Sequence, residues 1–582
     1  WAAASLALPL LCLALGSYRV LRWPLLLAAS LFVTAELSFV ALLVFLMGAW
    51  DAIVQHLRPT RSRSRLLARL EEAESWGEYL HRARLLDAED GCASWRRVDE
   101  HAQYNSSLVR AMCSRLRSAR RKGDTQALLD ALGVCVRKSF CGIDGEALYS
   151  RCHASTKMLI ESHLSEVEAA LSEVRSQLGK QRAVDEHVSS FLHRSRRVFG
   201  RTCLALSGGG GLANYSWGVV AALFEQGHLP RLICGTSAGA VIAAALCTRT
   251  DDELRSLLHA STLVGLLTSF EEPRWVVFRR FLRCRHMYDE SHWKPKIQVL
   301  CNHEAHPHIT FAEAYKLTGR ELCVTVTARR RHEPPLVLSH LSSPDVTVSS
   351  AILATVAMPF LLPAQQLMCK AADGTLHAWH ACESGEGEGE GEPGGGWRDG
   401  SIMHDTPREQ LAQHFGVSFI IASQCNPHVV PLFIALRPTA GQPAVSRLQR
   451  GRSDWRGGFA MSALLVLLLC DAKKWLNFMR ELEIMPLVLD TDWSSLFLQD
   501  FSGDVTIMPP LGTSDYMRML SDPSLACMDK YFKVGRRETW RKIPMLATRL
   551  RIAHALQALQ EAFECSQNSA GETLPRVNNY FL

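Results

Sequence analysis

The chain has 582 residues, of which 47% are hydrophobic, and its formal net charge at pH 7 is +6. This length and apolar content allow several domains around a large buried core. The small positive charge comes with no basic stripe interleaved with aromatic residues, so nucleic acid is excluded as an expected partner. The 18 cysteines are scattered without a C-x-x-C pair, which favours free thiols in a reducing compartment over a disulfide framework.

The N-terminal segment, residues 1–69, is predicted to anchor the chain in a membrane. Residues 1–16 are almost entirely apolar, and residues 24–50 form a second apolar run, interrupted chiefly by Glu36, that is long enough to span a bilayer. Basic residues follow directly, namely Arg58, Arg61, Arg63, Arg65 and Arg69. The two runs suggest a membrane hairpin, and the positive-inside rule predicts a cytosolic catalytic body. A cleaved signal or transit peptide is the alternative, although the second run is too long for a signal core. The first residue is Trp rather than Met, so the start looks truncated.

Two regions on either side of the centre are predicted to be mainly helical. In residues 70–198 leucines are spaced among many charges, and a helical pattern runs from Thr156 to Leu178, so we expect a role in packing and membrane approach. Residues 441–582 contain the apolar run Phe459–Cys470, which is too short to cross a bilayer. A buried core helix is favoured there over an interfacial helix that touches lipid.

A glycine-rich loop follows the first predicted strand, Thr202–Leu206. It reads Ser207-Gly208-Gly209-Gly210-Gly211 and precedes a predicted helix, Tyr215–Glu225. Unshielded N–H groups at a helix start suit an anion, which could be a phosphate, a dinucleotide pyrophosphate or the oxyanion of acyl transfer. Leu212–Asn214 stands where a phosphate loop needs Gly-Lys-Ser/Thr, no Walker A sequence occurs, and the dinucleotide fingerprint fits only by sliding along the glycines. An oxyanion hole is therefore favoured over these and over a merely flexible loop.

A candidate nucleophile follows the second predicted strand, Leu232–Cys234. Ser237 lies in the turn Gly235-Thr236-Ser237-Ala238-Gly239, ahead of the small-residue helix Ala240–Leu246. This strand–turn–helix order is that of a nucleophile elbow, in which glycines relieve crowding around a strained serine. The helix N-terminus behind the hydroxyl favours developing negative charge.

A candidate base is Asp399, in the stretch Trp397-Arg398-Asp399-Gly400-Ser401. Behind it come Asp405-Thr406-Pro407, a predicted helix Arg408–Phe415 and a predicted strand Val417–Ala422. This arrangement predicts that Asp399 lies on a loop at the edge of the same α/β sheet as Ser237.

The glycine-rich loop, the G-T-S-A-G turn and the D-G pair, in that order, resemble those of patatin-like serine lipases. The similarity is closer to one branch, the triacylglycerol lipases of plants (the sugar-dependent seed-oil lipase) and fungi, and it covers roughly residues 140–545. The other stretches similar to that branch are Phe199–Thr202, Thr310–Tyr315, Leu317–Arg320, His332–Pro335, Ser350–Thr355, Ala364–Met368, Ser423–His428, Asp500–Thr506 and Gly535–Trp540.

The resemblance implies a three-layer α/β core with a mainly parallel sheet and a catalytic domain over residues 199–440. It implies a two-residue mechanism in which Ser237 is the nucleophile and Asp399 the base, with no histidine, metal or cofactor. The N–H groups of Gly208, Gly209, Gly210 and Gly211 would bind the oxyanion. The acidic-glycine insert Gly385–Glu392 is expected to be a disordered, solvated loop, with a mobile gate as the alternative.

Several other residues compete for a catalytic role. His332, His404 or His428 could complete a Ser-His-Asp triad, and His404 is the strongest rival because it follows Asp399 by five residues. The pair His340 and Asp345 has the spacing of an acyltransferase motif found in some fungal relatives, which would allow a minor side activity. Four residues crowd together without a standard ligand spacing, so a metal site is not expected among Cys301, His303, His306 and His308.

The sequence therefore predicts a triacylglycerol lipase that acts on acyl-ester lipid at a membrane or lipid-droplet surface. The alternatives are a phospholipase or lysophospholipase with the same dyad, or a catalytically inactive lipid-surface scaffold. We expect the protein to be membrane-associated, at the lipid droplet or the endoplasmic reticulum, with arginines near the apolar runs facing anionic lipid.

Overall fold

The computed structural model describes most of the chain from Arg61 onward. The described residues are 61–180, 182–303, 306–328, 335–379, 396–430, 440–441, 458–481 and 498–569, together with scattered positions between 24 and 46. His332 and the insert Gly385–Glu392 lie outside them. None of the helices in these ranges is both long and apolar enough to cross a membrane. The predicted hairpin lies mostly outside them and stays a prediction without structural support.

The chain divides into two compact units. The larger comprises residues 60–430, 438–443 and 501–582, and the smaller comprises residues 1–59, 431–437 and 444–500. In the smaller unit the helix Gly458–Glu481 packs against Val33 through Ala472 and Met479. Leu467 of the same helix is 67% exposed. The favoured interpretation of Phe459–Cys470 as a buried core helix is therefore wrong.

The larger unit is built on one mixed sheet. Its strands and a separate hairpin are, in chain order, β1 Arg201–Leu206, β2 Leu232–Gly235, β3 Glu321–Ala328, β4 Leu336–Leu338, β5 Met368–Lys370, β6 Leu376–Ala378, β7 Trp397–Asp399, β8 Val417–Ser423 and β9 Val505–Ile507. Among the described residues the sheet has seven strands in the order β4-β3-β2-β1-β8-β9, with β7 also paired to β3, whereas β5 and β6 form the hairpin.

Most of the sheet is parallel, as predicted. Strands β3, β2, β1, β8 and β9 run in one direction, and only β4 and β7 run antiparallel, both against β3. The carboxyl ends of β1, β2 and β8 therefore meet at one edge, where open α/β sheets place their ligands. The sheet also continues past residue 440, where the sequence placed the end of the catalytic domain, because β9 pairs with β8.

Helices cover the sheet and form the N-terminal region of the larger unit. The first set is Arg61–Glu71, Trp76–Glu89, Cys92–Arg97, Ser106–Lys122, Thr125–Cys135, Met158–Gln177 and Arg182–Val198, which agrees with the helical character predicted for residues 70–198. The remaining α-helices of this unit are Tyr215–Glu225, Ala238–Cys247, Asp251–Leu257, Ala260–Leu266, Arg274–Cys284, Glu290–Cys301, Phe311–Thr318, Val348–Thr355, Arg408–Phe415, Thr513–Met517 and Leu525–Ser569.

The strands β1 and β2 are buried on both faces, so their sequences show no alternation of apolar and polar residues. In β1, Leu204 and Leu206 point into the main core, whereas Cys203 and Ala205 belong to a smaller cluster that also contains Leu411 and Phe415. The helix Arg408–Phe415 thus covers the second face. The result is the three-layer α/β architecture that the resemblance implies.

The long C-terminal helix Leu525–Ser569 contacts both a neighbouring helix and the residues just before β1. It packs against the helix Tyr215–Glu225, and the crossing is so close that Gly218 and Gly535 face each other, since a Cβ on either would lie 2.9 Å from the Cα of the other. Farther along, the buried Arg549 donates hydrogen bonds to the carbonyl oxygens of Phe199 and Gly200, each at 2.8 Å. This arginine thereby fixes the chain where it enters β1.

Candidate active site

Ser237 occupies a strained turn between β2 and the helix Ala238–Cys247. Its backbone has φ 53° and ψ −130°, a region that non-glycine residues seldom adopt and that is typical of functional sites. The two flanking glycines are required by crowding. A Cβ on Gly235 would lie 2.5 Å from the Cα of Ala240, and one on Gly239 would clash with the carbonyl oxygens of Leu206 and Ser207. The geometry is that of the predicted nucleophile elbow.

Threonines hold the elbow in this conformation. The Ser237 N–H donates to Oγ1 of Thr355 at 3.0 Å, and that hydroxyl donates in turn to the carbonyl oxygen of Thr325 at 2.7 Å. The hydroxyls of Thr236 and Thr325 are 2.8 Å apart, and both are fully buried. These contacts connect the turn to β3 and to the helix Val348–Thr355, and they stabilise a backbone that would otherwise relax.

Asp399 lies beside the serine at the end of β7. It pairs with Val326 of β3, and its N–H donates to the carbonyl oxygen of Ala357 at 3.2 Å. Its side chain is 0% exposed. Oδ1 accepts a hydrogen bond from the Ser401 N–H at 2.8 Å, whereas Oδ2 has no partner in the described part of the chain.

The environment of Asp399 sets its acidity. Burial raises the pKa of Asp399 to about 6, and the neighbouring hydroxyl of Ser237 and the groups of Ser401 offset part of that rise. Ser237 is thus close enough to act on the pKa of Asp399, although the two side chains do not form a hydrogen bond in the described structure. Such catalytic contacts often tighten only when substrate binds.

The glycine-rich loop offers fewer N–H donors than the sequence predicted. The Gly208 N–H donates to Oδ1 of Asp405 at 3.1 Å, and the Gly211 N–H donates to the carbonyl oxygen of Met519 at 2.8 Å. Within the described residues, the N–H groups of Gly209 and Gly210 have no protein acceptor. The oxyanion role of the four glycines stays a prediction, and the N–H groups of Gly209 and Gly210 are its best candidate donors because those of Gly208 and Gly211 already have acceptors.

The loop is next to the elbow because β1 and β2 are neighbours. A Cβ on Gly208 would lie 3.2 Å from the Cβ of Ser237, and one on Gly209 would lie 2.7 Å from the carbonyl oxygen of Cys425. Gly208 is buried, whereas Gly209 and Gly210 are partly exposed beside the half-buried Ser237. The donors that remain free are thus also the accessible ones.

Asp405 is a site residue that the sequence analysis did not assign. It is buried, and its Oδ2 accepts from Nε2 of Gln424 at 3.1 Å while its Oδ1 holds the Gly208 N–H. Its backbone carbonyl accepts from the Thr236 hydroxyl at 2.9 Å. Burial raises the pKa of Asp405 as well. The only signal in the sequence was its position six residues after Asp399, which by itself predicts nothing.

The described candidates for a catalytic histidine have contacts other than Ser237 and Asp399. His404 is exposed and donates its backbone N–H to the Gly400 carbonyl at 2.9 Å, and the His428 ring packs edge-on against Phe501 at 5.3 Å. His340 stacks on Tyr315 at 4.2 Å. The structure thus brings Ser237 and Asp399 together without an imidazole between them among the described residues.

The cluster of cysteine and histidines after residue 300 does not converge on one point. Nε2 of His303 lies 2.9 Å from a carboxylate oxygen of Glu253, and Cys301 is buried. In the ranges that the structure describes, one group has metal-ligand spacing, Asp87 with Cys92 and Cys152, and it lies in the helical N-terminal region. The Asp87 carboxylate there already accepts hydrogen bonds from the N–H groups of His153 and Ala154.

Comparison with known proteins gives two family matches. Residues 56–197 match a domain of unknown function (DUF3336), and residues 204–412 match the family described as patatin-like phospholipase. The triacylglycerol lipase ptl2 of Schizosaccharomyces pombe is 36% identical over 544 residues, which are 93% of this chain and 82% of that protein.

Two further similarities cover a smaller share of the compared protein. A patatin-like phospholipase domain-containing protein of Cryptococcus neoformans is 34% identical over 571 residues, which are 97% of this chain and 62% of that protein. This chain therefore spans about three fifths of that relative's length. The crystal structure of VipD from Legionella pneumophila aligns with a TM-score of 0.28 and 13% identity, over 60% of this chain and 67% of VipD.

Proposed function

This chain belongs to the family of patatin-like lipases and phospholipases, and on that premise we propose that it is a triacylglycerol lipase acting through Ser237 and Asp399. One observation carries the proposal. A serine in a strained elbow lies beside a fully buried carboxylate that has one oxygen without a partner and a raised pKa. A normal carboxylate is a weak base toward a serine hydroxyl, and burial makes this one stronger.

The first half of the reaction acylates the serine. Oγ of Ser237 attacks the ester carbonyl carbon as Oδ2 of Asp399 takes the hydroxyl proton, and the carbonyl oxygen becomes an oxyanion. The N–H groups of Gly209 and Gly210 and the N-terminus of the helix Ala238–Cys247 face this charge. Each such donor contributes about 3 kcal/mol in comparable sites. The intermediate then collapses as Asp399 returns the proton to the departing alcohol.

The second half releases the fatty acid. A water molecule donates a proton to Asp399 and attacks the acyl carbon, and the second oxyanion uses the same two N–H groups. As this intermediate collapses, the proton passes back to Oγ of Ser237. Every proton transfer is thus assigned to one carboxylate, and no metal or cofactor enters the reaction.

The choice of triacylglycerol over phospholipid is supported by the name of one relative, the triacylglycerol lipase of Schizosaccharomyces pombe. The second candidate, a phospholipase or lysophospholipase, is supported by the name of the family match. The same two residues would serve either ester, because the headgroup is selected away from the scissile bond. An inactive lipid-surface scaffold is disfavoured by the strained elbow, since strain of this kind is retained at functional sites.

The test measures release of fatty acid by purified full-length protein. We expect hydrolysis of triolein to exceed hydrolysis of phosphatidylcholine, and we expect Ser237→Ala and Asp399→Asn each to lower the rate at least about a thousandfold with folding intact. His404→Ala is the matched control and should stay near wild type, because the side chain of His404 is exposed. Faster release from phosphatidylcholine would replace the substrate, and active Asp399→Asn protein would refute the dyad.

For location, we propose association with the lipid droplet or the endoplasmic reticulum, with the catalytic unit on the cytosolic side. The apolar runs before the arginine cluster support it, as does the absence of disulfides among the described cysteines. Deleting residues 1–50 should shift the protein from the membrane and droplet fractions to the supernatant. A truncated protein that remains fully lipid-bound would assign anchoring to another segment.

A further inference from the structure

The helix Arg274–Cys284 turns large hydrophobic side chains toward solvent. Trp275, Phe278 and Leu282 are 67%, 64% and 67% exposed. Single exposed apolar residues are common on soluble proteins, but three large ones on one short helix form a patch, and such patches mark interaction sites.

These three side chains lie on one stripe. Their spacing of three and four residues places them within about 60° of arc around the helix axis. Other sides of the helix face the protein, and Phe281 packs against Phe360 with ring centroids 6.2 Å apart. Arg280 also points inward and forms a two-pronged ion pair with Glu272 at 2.7 Å. The helix is therefore held in place by its inner side while its apolar stripe stays exposed.

Both ends of this helix are tied to segments that contact the catalytic groups. Before the helix, the Phe270 N–H donates to the carboxylate of Asp522 at 3.0 Å. Asp522 lies three residues after Met519, whose carbonyl oxygen accepts the N–H of Gly211 in the glycine-rich loop. After it, the Met287 N–H donates to the Phe360 carbonyl at 2.7 Å.

The second tie leads to the base. Phe360 follows Ala357 by three residues, and the Ala357 carbonyl accepts the Asp399 N–H. One end of the helix is thus connected to the segment that holds the glycine-rich loop, and the other to the segment that holds Asp399. From these two connections we infer that its apolar stripe lies at the rim of the catalytic site.

Charge identifies what this stripe fits. Arg279 and Arg283 are exposed and follow the stripe on one flank, and Arg285 is exposed just beyond the helix end. An apolar stripe of Trp, Phe and Leu beside arginines is typical of a helix that lies in the interface of a lipid layer with anionic headgroups. Met517 and Leu520, in the segment that holds the glycine-rich loop, are also exposed and add apolar surface near the rim.

We propose that the helix Arg274–Cys284 docks the catalytic unit onto an anionic lipid surface, with Trp275, Phe278 and Leu282 inserted among the acyl chains. This inference rests on the proposed function, because it gives an ester buried in a lipid aggregate a path to Ser237. It assigns surface docking to the rim of the site, separately from any anchoring by residues 1–69.

The binding test uses full-length Ser237→Ala protein, so that it does not depend on hydrolysis. Vesicles of phosphatidylcholine and phosphatidylserine with brominated acyl chains quench tryptophans that enter the bilayer. We expect quenching to drop in Trp275→Phe and to stay unchanged in the control Trp293→Phe. Trp293 lies 18 residues after Trp275, and its indole is buried. Equal quenching in both variants would overturn the proposal.

The charge test compares two double variants. The first combines Arg279→Glu and Arg283→Glu, and the control combines Arg115→Glu and Arg121→Glu, whose arginines are exposed on the helix Ser106–Lys122. We expect the first pair alone to reduce quenching on vesicles that contain phosphatidylserine, with little effect on pure phosphatidylcholine. An identical response of the two pairs would refute the role assigned to the arginines.

The activity test separates docking from chemistry. In the combined variant Trp275→Ser, Phe278→Ser and Leu282→Ser, hydrolysis of a triolein emulsion should fall at least about tenfold, because the buried apolar area is lost. Hydrolysis of monomeric p-nitrophenyl butyrate should stay within about twofold of wild type. The control replaces three other exposed apolar residues, Leu85, Leu108 and Val198, with serine and should leave both rates unchanged.

Two outcomes of this test would overturn the docking proposal, namely an unchanged emulsion rate or an equal loss on both substrates in protein of wild-type thermal stability. Wild-type protein inactive on both esters would refute the proposed function instead. In that event the quenching experiment, which uses the Ser237→Ala chain, still decides whether the helix enters lipid.

Discussion

The N–H of Gly208 donates to the buried carboxylate of Asp405 at 3.1 Å, so an acid fixes the first glycine of the oxyanion loop. The same carboxylate holds Gln424, at the end of the neighbouring strand. Because Gly208 also lies against Ser237, this contact sets the distance between the nucleophile and the donors of Gly209 and Gly210. Asp405 is thus a positioning residue.

We therefore predict that Asp405→Ala lowers kcat on a monomeric ester by about 10- to 100-fold with a smaller change in KM, because misplaced donors weaken transition-state binding. Asp405→Asn should recover part of the loss, since its amide oxygen can still accept the Gly208 N–H. The charge of Asp405 also raises the pKa of Asp399, so both variants should move the acid limb of the pH profile to lower pH. Steady-state kinetics across pH will check this, with the exposed Asp252→Ala as control.

The pH dependence of the reaction should report Asp399 directly. Burial raises the pKa of Asp399 to about 6, and the base must be deprotonated to accept the serine proton. We expect kcat/KM on a soluble ester to rise with pH through an apparent pKa near 6 and to fall steeply below it. A profile that stays flat down to pH 4 would contradict the assignment of Asp399 as the base.

The raised pKa also has a cost in stability. Because the folded protein disfavours the charged form of Asp399, the free energy of unfolding falls as pH rises from the unfolded value near 3.8 to about 6. Asp399→Asn removes the charge, so we expect it to raise the free energy of unfolding at pH 7, by at most about 3 kcal/mol. The gain should vanish near pH 4. Denaturant titrations at the two pH values will measure it, with the partly exposed Asp144→Asn as control.

The close crossing of the helices Tyr215–Glu225 and Leu525–Ser569 gives a packing prediction. In Gly535→Ala the new methyl would meet the Tyr215 carbonyl and the Cα of Gly218, so we expect a loss of about 1–3 kcal/mol in the free energy of unfolding. Gly77→Ala is the matched control, since a Cβ there meets nothing within 4 Å and alanine favours a helix by up to about 1 kcal/mol. Equal melting temperatures for the two variants would contradict the crossing.

The sequence was sufficient for the elements that carry their own signals. The bounds predicted for Tyr215–Glu225 and Arg408–Phe415 match those of the structure, and the family resemblance is confirmed by the comparisons. The sequence also predicted that Asp399 lies at the edge of the sheet that carries Ser237. It placed Asp399 on a loop, however, whereas Asp399 is the last residue of β7, which runs antiparallel to β3. The catalytic roles of these two residues stay predictions.

Other features had no local signal. β9 is only Val505–Ile507, and nothing in three residues distinguishes an edge strand from a loop. Which glycine N–H groups are engaged depends on Asp405 and Met519, which lie far away in the chain. The helix Arg274–Cys284 was missed as a surface element because its apolar stripe faces outward, and exposure is not encoded in hydrophobic spacing.

The pairing of β8 with β9 has a consequence for biosynthesis. These neighbours in the sheet are separated along the chain by residues 424–504, most of which belong to the other compact unit. During synthesis β8 therefore leaves the ribosome long before β9, the strand that pairs with its edge. Arg549, which donates hydrogen bonds to the residues just before β1, leaves the ribosome later still. A nascent chain stalled ahead of residue 505 would expose an unpaired strand edge, so chaperone occupancy on ribosome-bound intermediates should persist until the last helix has been made.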